Sequence, residues 1–174
     1  MTPLQPILRG GLLALVCFSA PAFAGLFTDA DPDWKEGGHT LPAAPRDGAL
    51  REFFVSSASP NHFFIDEDSI AVGEDGVVRY TLVIRTPGGA KNVTNEGIRC
   101  ASGTWRLYAT GRSGGDWSAA RDADWKPIVD NTYNRPRAAL SEDHFCDGPV
   151  PPRDRDEVLR RLRGEASTFM KSGK

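Results

Sequence analysis

Val77-Val78-Arg79-Tyr80-Thr81-Leu82-Val83-Ile84-Arg85-Thr86 decides the fold class. Val78, Tyr80, Leu82 and Ile84 alternate with Arg79, Thr81, Val83 and Arg85, and a period of two is the signature of a β-strand. One face of this strand is apolar and the other mixed, the pattern of an antiparallel sheet with one covered face. Glu74-Asp75-Gly76 stands just before it, and Asp-Gly accepts the positive φ of a tight hairpin. Pro87-Gly88-Gly89-Ala90 follows as a second turn, and Lys91 to Cys100 returns as the partner strand, with Val93 and Ile98 toward the core and Gly97 as a bulge marker. Thr104 to Arg112 is a third strand, Trp105, Leu107 and Ala109 alternating with Arg106, Tyr108 and Thr110.

Upstream, Phe53-Phe54-Val55, Phe63-Phe64-Ile65 and Ile70-Ala71-Val72 read as short strands, the last two separated by a polar turn at Asp66-Glu67-Asp68-Ser69. Downstream, Trp117 to Ala120 and Trp125 to Val129 are shorter strand candidates. Arg137 to Cys146 reads as a short helix and Asp154 to Met170 as a longer one. Asp154 is its cap, and Val158, Leu159, Leu162, Ala166 and Phe169 recur at helical spacing. Its arginines face away, and the prolines before it suggest an appended element. The expected fold is α+β, an antiparallel sheet of about five or six strands with one or two C-terminal helices.

The flanks have other roles. Arg9, the apolar run Leu12 to Phe18 and Ala22-Phe23-Ala24 make residues 1–24 a signal peptide, cut before Gly25 and too short in its apolar part to span a bilayer. Val16 before Cys17 does not suit lipidation. Residues 25–50 are acidic and rich in glycine and proline. They form an expected leader, extended or disordered, pinned by Leu26, Phe27 or Trp34, and carrying little of the stability. The core domain is then 51–147, and 148–174 hold the C-terminal helix and tail.

The 174 residues carry 21 Lys and Arg against 23 Asp and Glu, a net charge of −2. Nucleic acid is therefore not an expected partner, since such domains carry a marked basic excess. Glycine (18) and proline (13) are frequent enough to favour strands and turns over a helical bundle. Cys100 and Cys146 remain once the signal is removed. An even pair in an exported chain reads as one disulfide, with two buried thiols as the alternative.

Motifs for chemistry are sparse. Gly111-Arg112-Ser113-Gly114-Gly115 has the letters of a nucleophile elbow, but no helix pattern follows it, so a hairpin loop is the better reading. Asp29, Asp31 and Asp33 open like a calcium loop, but the positions that need glycine and glutamate hold Trp34 and Thr40. His39, His62 and His144 show no metal-ligand spacing. No metal or cofactor is expected. The basic C-terminal helix, with Arg160, Arg161 and Arg163, offers a weak contact for anionic envelope components.

Phe63-Phe64-Ile65-Asp66, Val77 to Val83, Asn95-Glu96-Gly97-Ile98-Arg99-Cys100, Leu107-Tyr108-Ala109 and His144-Phe145-Cys146 together resemble the CNP-one-like family. The resemblance runs from Phe53 to Cys146 and leaves out the leader and the C-terminal helix. It implies a small exported bacterial envelope protein and brings no reaction or catalytic residues. Within it, Glu96 and Arg99 are the candidate ligand-contacting pair. The competing reading is structural: Ile98 in the core, Gly97 bending the strand and Cys100 tied to Cys146. The leading expectation for function is a periplasmic, non-catalytic binding or assembly-support module whose partner is an envelope protein or ligand. The alternative is a small envelope hydrolase with a site assembled from His62, Asp66 and Ser113.

Overall fold

The computed structural model describes Asp31 and residues 33–165. The signal peptide, the pins Leu26 and Phe27, and the end of the second helix with Ala166 and Phe169 lie outside the described residues.

Seven antiparallel strands form one sheet: β1 (Leu50–Phe53), β2 (His62–Val72), β3 (Val77–Arg85), β4 (Lys91–Arg99), β5 (Thr104–Gly111), β6 (Trp117–Ala119) and β7 (Lys126–Pro127). They lie in sequence order from β1 to β6, and β7 pairs with β5. The meander follows from its turns. Gly76 (φ 74°) closes β2–β3 and Gly89 (φ 83°) closes β3–β4, each at a positive φ that suits glycine. The sheet exceeds the expected five or six strands because the two short candidates near Trp117 and Trp125 both pair with β5.

The polar turn expected at Asp66–Ser69 is instead an irregularity within one continuous strand. Asp66 faces Thr81 while Ala71 faces Arg79, so the residues between them oppose a single position of β3. Ser69 replaces the missing ladder bond. Its hydroxyl accepts from the Thr81 amide at 2.7 Å and donates to the Asp66 carbonyl at 2.7 Å.

One sheet face carries Phe63, Ile65, Val78, Tyr80, Leu82, Ile98 and Trp105 in the hydrophobic core. The covering layer is α1 (Arg135–Ala139), a π-helical continuation (Leu140–Phe145) and α2 (Arg155–Leu162). Leu140, Phe145, Val158, Leu159 and Leu162 enter the same core, so α2 is a core element and not an appended one. Asp154 caps α2 as expected, accepting from the Glu157 amide at 2.8 Å. Among its arginines, Arg161 donates to Glu157 and to the Phe145 carbonyl, and Arg163 donates to Glu67.

The opposite face, expected to be open, is also covered. Arg79, Thr81, Val83, Asn95 and Arg99 are buried there. The cover is the leader, whose residues 34–46 have no regular secondary structure and lie across the strands. Trp34 Nε1 donates to the Asp75 carbonyl (2.8 Å), the Gly37 amide to Asp75 Oδ2 (2.8 Å) and Trp117 Nε1 to the Pro42 carbonyl (2.7 Å). These contacts tie the leader to the sheet at three points.

Cys100 and Cys146 form a disulfide that ties the end of β4 to the end of the π-helical stretch, with a sequence separation of 46. Closing a loop of that length stabilises the fold by about 4 kcal/mol in the chain-entropy account. Replacing both cysteines by serine is expected to lower the urea midpoint by a corresponding amount. A midpoint unchanged from wild type in an oxidised sample would contradict this.

Candidate functional site

Glu96 and Arg99 stand on one strand, and the alternation of β4 sends them to opposite faces. Glu96 is fully buried beneath the helical layer. Its Oε2 accepts from Arg137 Nε (2.9 Å) and Tyr80 Oη (3.0 Å), and its Oε1 from Arg137 Nη2 (2.6 Å) and Thr94 Oγ1 (2.7 Å). The Arg137 guanidinium also lies 3.7 Å from the Trp105 ring centre and donates to the Tyr133 carbonyl. Burial, reinforced by the Glu96 charge, raises the Tyr80 phenol well above its ordinary pKa, so it stays a donor. Glu96 therefore joins sheet to helices. Arg99 lies 3.9 Å above the Trp34 ring on the other side. The two do not form a joint site.

The hydrolase residues do not converge. His62 is exposed and bonded to Glu52 at 2.7 Å. Asp66 lies four residues along the same strand, about 13 Å away at the usual rise. Ser113 tips the β5–β6 hairpin, three strands across the sheet, on the order of 14 Å from β2. Ser113 borders a cleft of about 470 Å³ formed by Ala44, Pro45, Lys91, Val93 and the hairpin loop, without a histidine. Among the described residues no cluster of His, Cys, Asp and Glu is arranged to hold a metal ion.

A convergent polar centre lies under the leader, and no residue nominated from the sequence belongs to it. Glu36 reaches the sheet with both carboxylate oxygens engaged. Tyr108 Oη donates to Oε1 at 2.6 Å and Arg79 Nη2 to the same oxygen at 3.5 Å. Arg106 Nη1 and, at 3.3 Å, Trp125 Nε1 donate to Oε2. Asp75 holds Arg79 in place with both oxygens, at 3.1 and 2.6 Å. Those bonds, with amide donation from Gly37 and Val77, keep the Asp75 carboxyl below its ordinary pKa although burial opposes this. Burial and the Glu36 hydrogen bond raise the Tyr108 phenol, so it too remains a donor. His39 packs on the Tyr108 ring at 3.9 Å, and its pKa is lowered by burial and by Arg79.

Alternation along β5 sets Tyr108 on the face of Arg106, and the register shifts at this point. Asn95 pairs with Ala109 but Glu96 with Leu107, so Tyr108 is the extra residue of β5. The bulge moves Ala109 to the leader-covered face, away from Trp105 and Leu107, and ends the simple alternation. Gly97 makes room for Tyr108 from across the ladder. A Cβ there would lie 2.6 Å from Tyr108 Oη and 2.9 Å from its ring. The signal available in sequence was modest: arginines and a tyrosine on the mixed faces of two strands, and a tryptophan in an acidic leader. The pairing itself spans 72 residues from Glu36 to Tyr108 and 89 to Trp125.

Three variants separate structural from ionisation effects. Removing one member of the Glu96–Arg137 pair leaves a buried charge without its partner, a loss of about 3–5 kcal/mol. Arg137→Met alone is thus expected to cost that much in urea denaturation, and the double change Glu96→Gln with Arg137→Met clearly less; equal losses would contradict the pairing. Asp66 is 3 % exposed, and burial raises its carboxyl above the ordinary pKa of 3.8, against the Asp68 amide bond. A raised carboxyl pKa means the folded state holds the proton more tightly. Stability then falls as pH rises from the unfolded pKa through the folded one. Asp66→Asn is expected to raise Tm at pH 7, with the gain fading below pH 3.8; a gain that grew with acidity would contradict the sign.

A family model for the CNP1-like family matches residues 29–163. It therefore takes in most of the leader and the described part of α2, both of which the resemblance read from sequence had left outside. The chain is 32 % identical over 160 residues to "Cryptic neisserial protein 1" of Neisseria gonorrhoeae (strain ATCC 700825 / FA 1090), covering 82 % of this chain and 77 % of that protein. No solved structure matches. With the model spanning strap, sheet and helices alike, the chain belongs to the CNP1-like family.

Proposed function

We propose that this chain is an exported cell-envelope protein acting as a non-catalytic binding module, with the leader-covered sheet face as its recognition surface. The observation that carries the reading is the convergence of Arg79, Arg106, Tyr108 and Trp125 on one carboxylate. These groups hold negative charge in place, which is the chemistry of recognition. Export is supported by the signal pattern of residues 1–24 and by a disulfide suited to an oxidising compartment.

The assembly-support form of this reading draws on Phe54 and Tyr133, which are 73 % and 68 % exposed. They border clefts of about 370 and 320 Å³ that share Val55, Asn61 and Phe63, and apolar surface of this kind suits an apolar segment of a partner protein. Contact between α2 and anionic envelope components is a smaller part of the proposal, because Arg161 and Arg163 are engaged within the chain.

Crosslinking in the intact envelope, followed by fractionation and N-terminal sequencing of the product, tests the reading. The expected result is a chain that begins at Gly25, sits in the envelope fraction and is joined to one stoichiometric partner. A full-length cytoplasmic chain with free Cys100 and Cys146 thiols would sink the export claim. An exported chain that captures nothing would sink the protein-partner form.

A further inference from the structure

Part of the polar centre is held on the sheet without Glu36. Arg79 is fixed by Asp75, and the Tyr108 ring lies where Gly97 leaves room for it. Glu36 is brought in by a segment without regular secondary structure, followed by Gly37 and Gly38. A Cβ at Gly38 would meet nothing within 4 Å, so the strap has open space beside it.

Glu36 is also an incomplete occupant. It engages the terminal nitrogens of Arg79 and Arg106, while Nε of each is buried with no hydrogen-bond partner among the described residues. Arg79 itself is 7 % exposed. A buried donor without an acceptor is costly, and native structures carry few of them. The receptor thus holds more donors than one tethered carboxylate can satisfy.

We propose that this centre is a binding site for a small polycarboxylic acid, and that Glu36 is its tethered occupant, displaced when the acid binds. The inference rests on the binding reading above and narrows it to a ligand class. Tethering explains why the ligand carries several carboxylates. Attachment to the chain gives Glu36 an effective concentration of about millimolar or higher, so a free monocarboxylate at lower concentration loses the competition. A second and third carboxylate that reach the two Nε donors tip the balance.

The test uses the full chain with propionate, succinate and propane-1,2,3-tricarboxylate as probes, against sodium chloride at matched ionic strength. Wild type is expected to gain Tm with the tricarboxylate and not with millimolar propionate. Exchange of the Gly37 amide should speed up while that of β3 and β4 stays constant. Glu36→Ala removes the tethered competitor and is expected to bind all three acids, the tricarboxylate about tenfold or more tighter than wild type does. Adding Arg106→Leu should abolish the response.

Glu36→Gln keeps the side-chain volume and serves if the alanine variant does not fold. A folded Glu36 variant that responds to the acids no more than to chloride would overturn the proposal. So would a wild-type response that survives Arg106→Leu, or a tricarboxylate effect that leaves Gly37 exchange unchanged. Because these measurements need no partner protein, their failure leaves the crosslinking result standing on its own.

Discussion

The Glu96–Arg137 pair is the join on which the two layers depend. Glu96 stands on β4 in the middle of the sheet, and Arg137 reaches it from the first turn of α1 with two hydrogen bonds. The pair also fixes its surroundings. Tyr80 and Thr94 donate to the same carboxylate, and the guanidinium stands over the Trp105 ring. A buried charge pair gains little stability over a well-packed apolar pair, but it penalises every arrangement in which either member lacks the other. That asymmetry sets where α1 begins. From that point the chain passes to Phe145 against Tyr80 and to Cys146 on Cys100. The disulfide then closes what the ion pair positions.

With one face committed to the helices, the other face inherits the polar half of each strand. Arginine, threonine and asparagine at alternate positions would suit a solvated surface, and the strand pattern was read that way. Here they are buried by residues 33–46, a segment with no strand or helix of its own. Its side chains supply what the face requires: Glu36 for two guanidinium groups, the Gly37 amide for Asp75, and the Trp34 indole beneath Arg99. The strap is held largely by directional polar contacts, and the helical layer largely by apolar burial. Polar contacts can be exchanged for equivalent ones from a ligand. Burial of Leu140, Phe145 and Val158 cannot be exchanged in that way. The two covers thus differ in what can replace them.

Legibility in the sequence follows the range of the interactions. The β3 alternation, the Asp75-Gly76 and Gly88-Gly89 turns and the Asp154 cap are local, and each was read correctly. So was the disulfide, because a single pair of cysteines outside the expected signal leaves few alternatives. The irregularity at Asp66–Ser69 was read as a turn, since a serine hydroxyl standing in for a backbone carbonyl has no signature in sequence. The α2 helix was read as appended, because its apolar stripe does not say which surface receives it. Glu96 and Arg99 were paired by proximity along the chain, where strand alternation places them back to back. The leader centre was missed for a related reason. Glu36 is an ordinary acid in an acidic segment, and only the folded chain brings Tyr108, Trp125 and two arginines to it.

The glycine opposite Tyr108 bears most directly on how that centre is built. A strap can be pinned to a regular sheet by ordinary side chains, as Trp34 and Trp117 do through single indole bonds. Tyr108 requires more. Alternation already sets Tyr108 on the face of Arg106, but β4 gives up a side chain at Gly97 so that the phenol can lie across it beside the guanidinium groups. That departure weakens the sheet locally, through the backbone freedom of glycine. An indole bond of the Trp34 or Trp117 kind does without it. Its effect is to leave room for a neutral donor beside two cations, with all three turned toward one carboxylate.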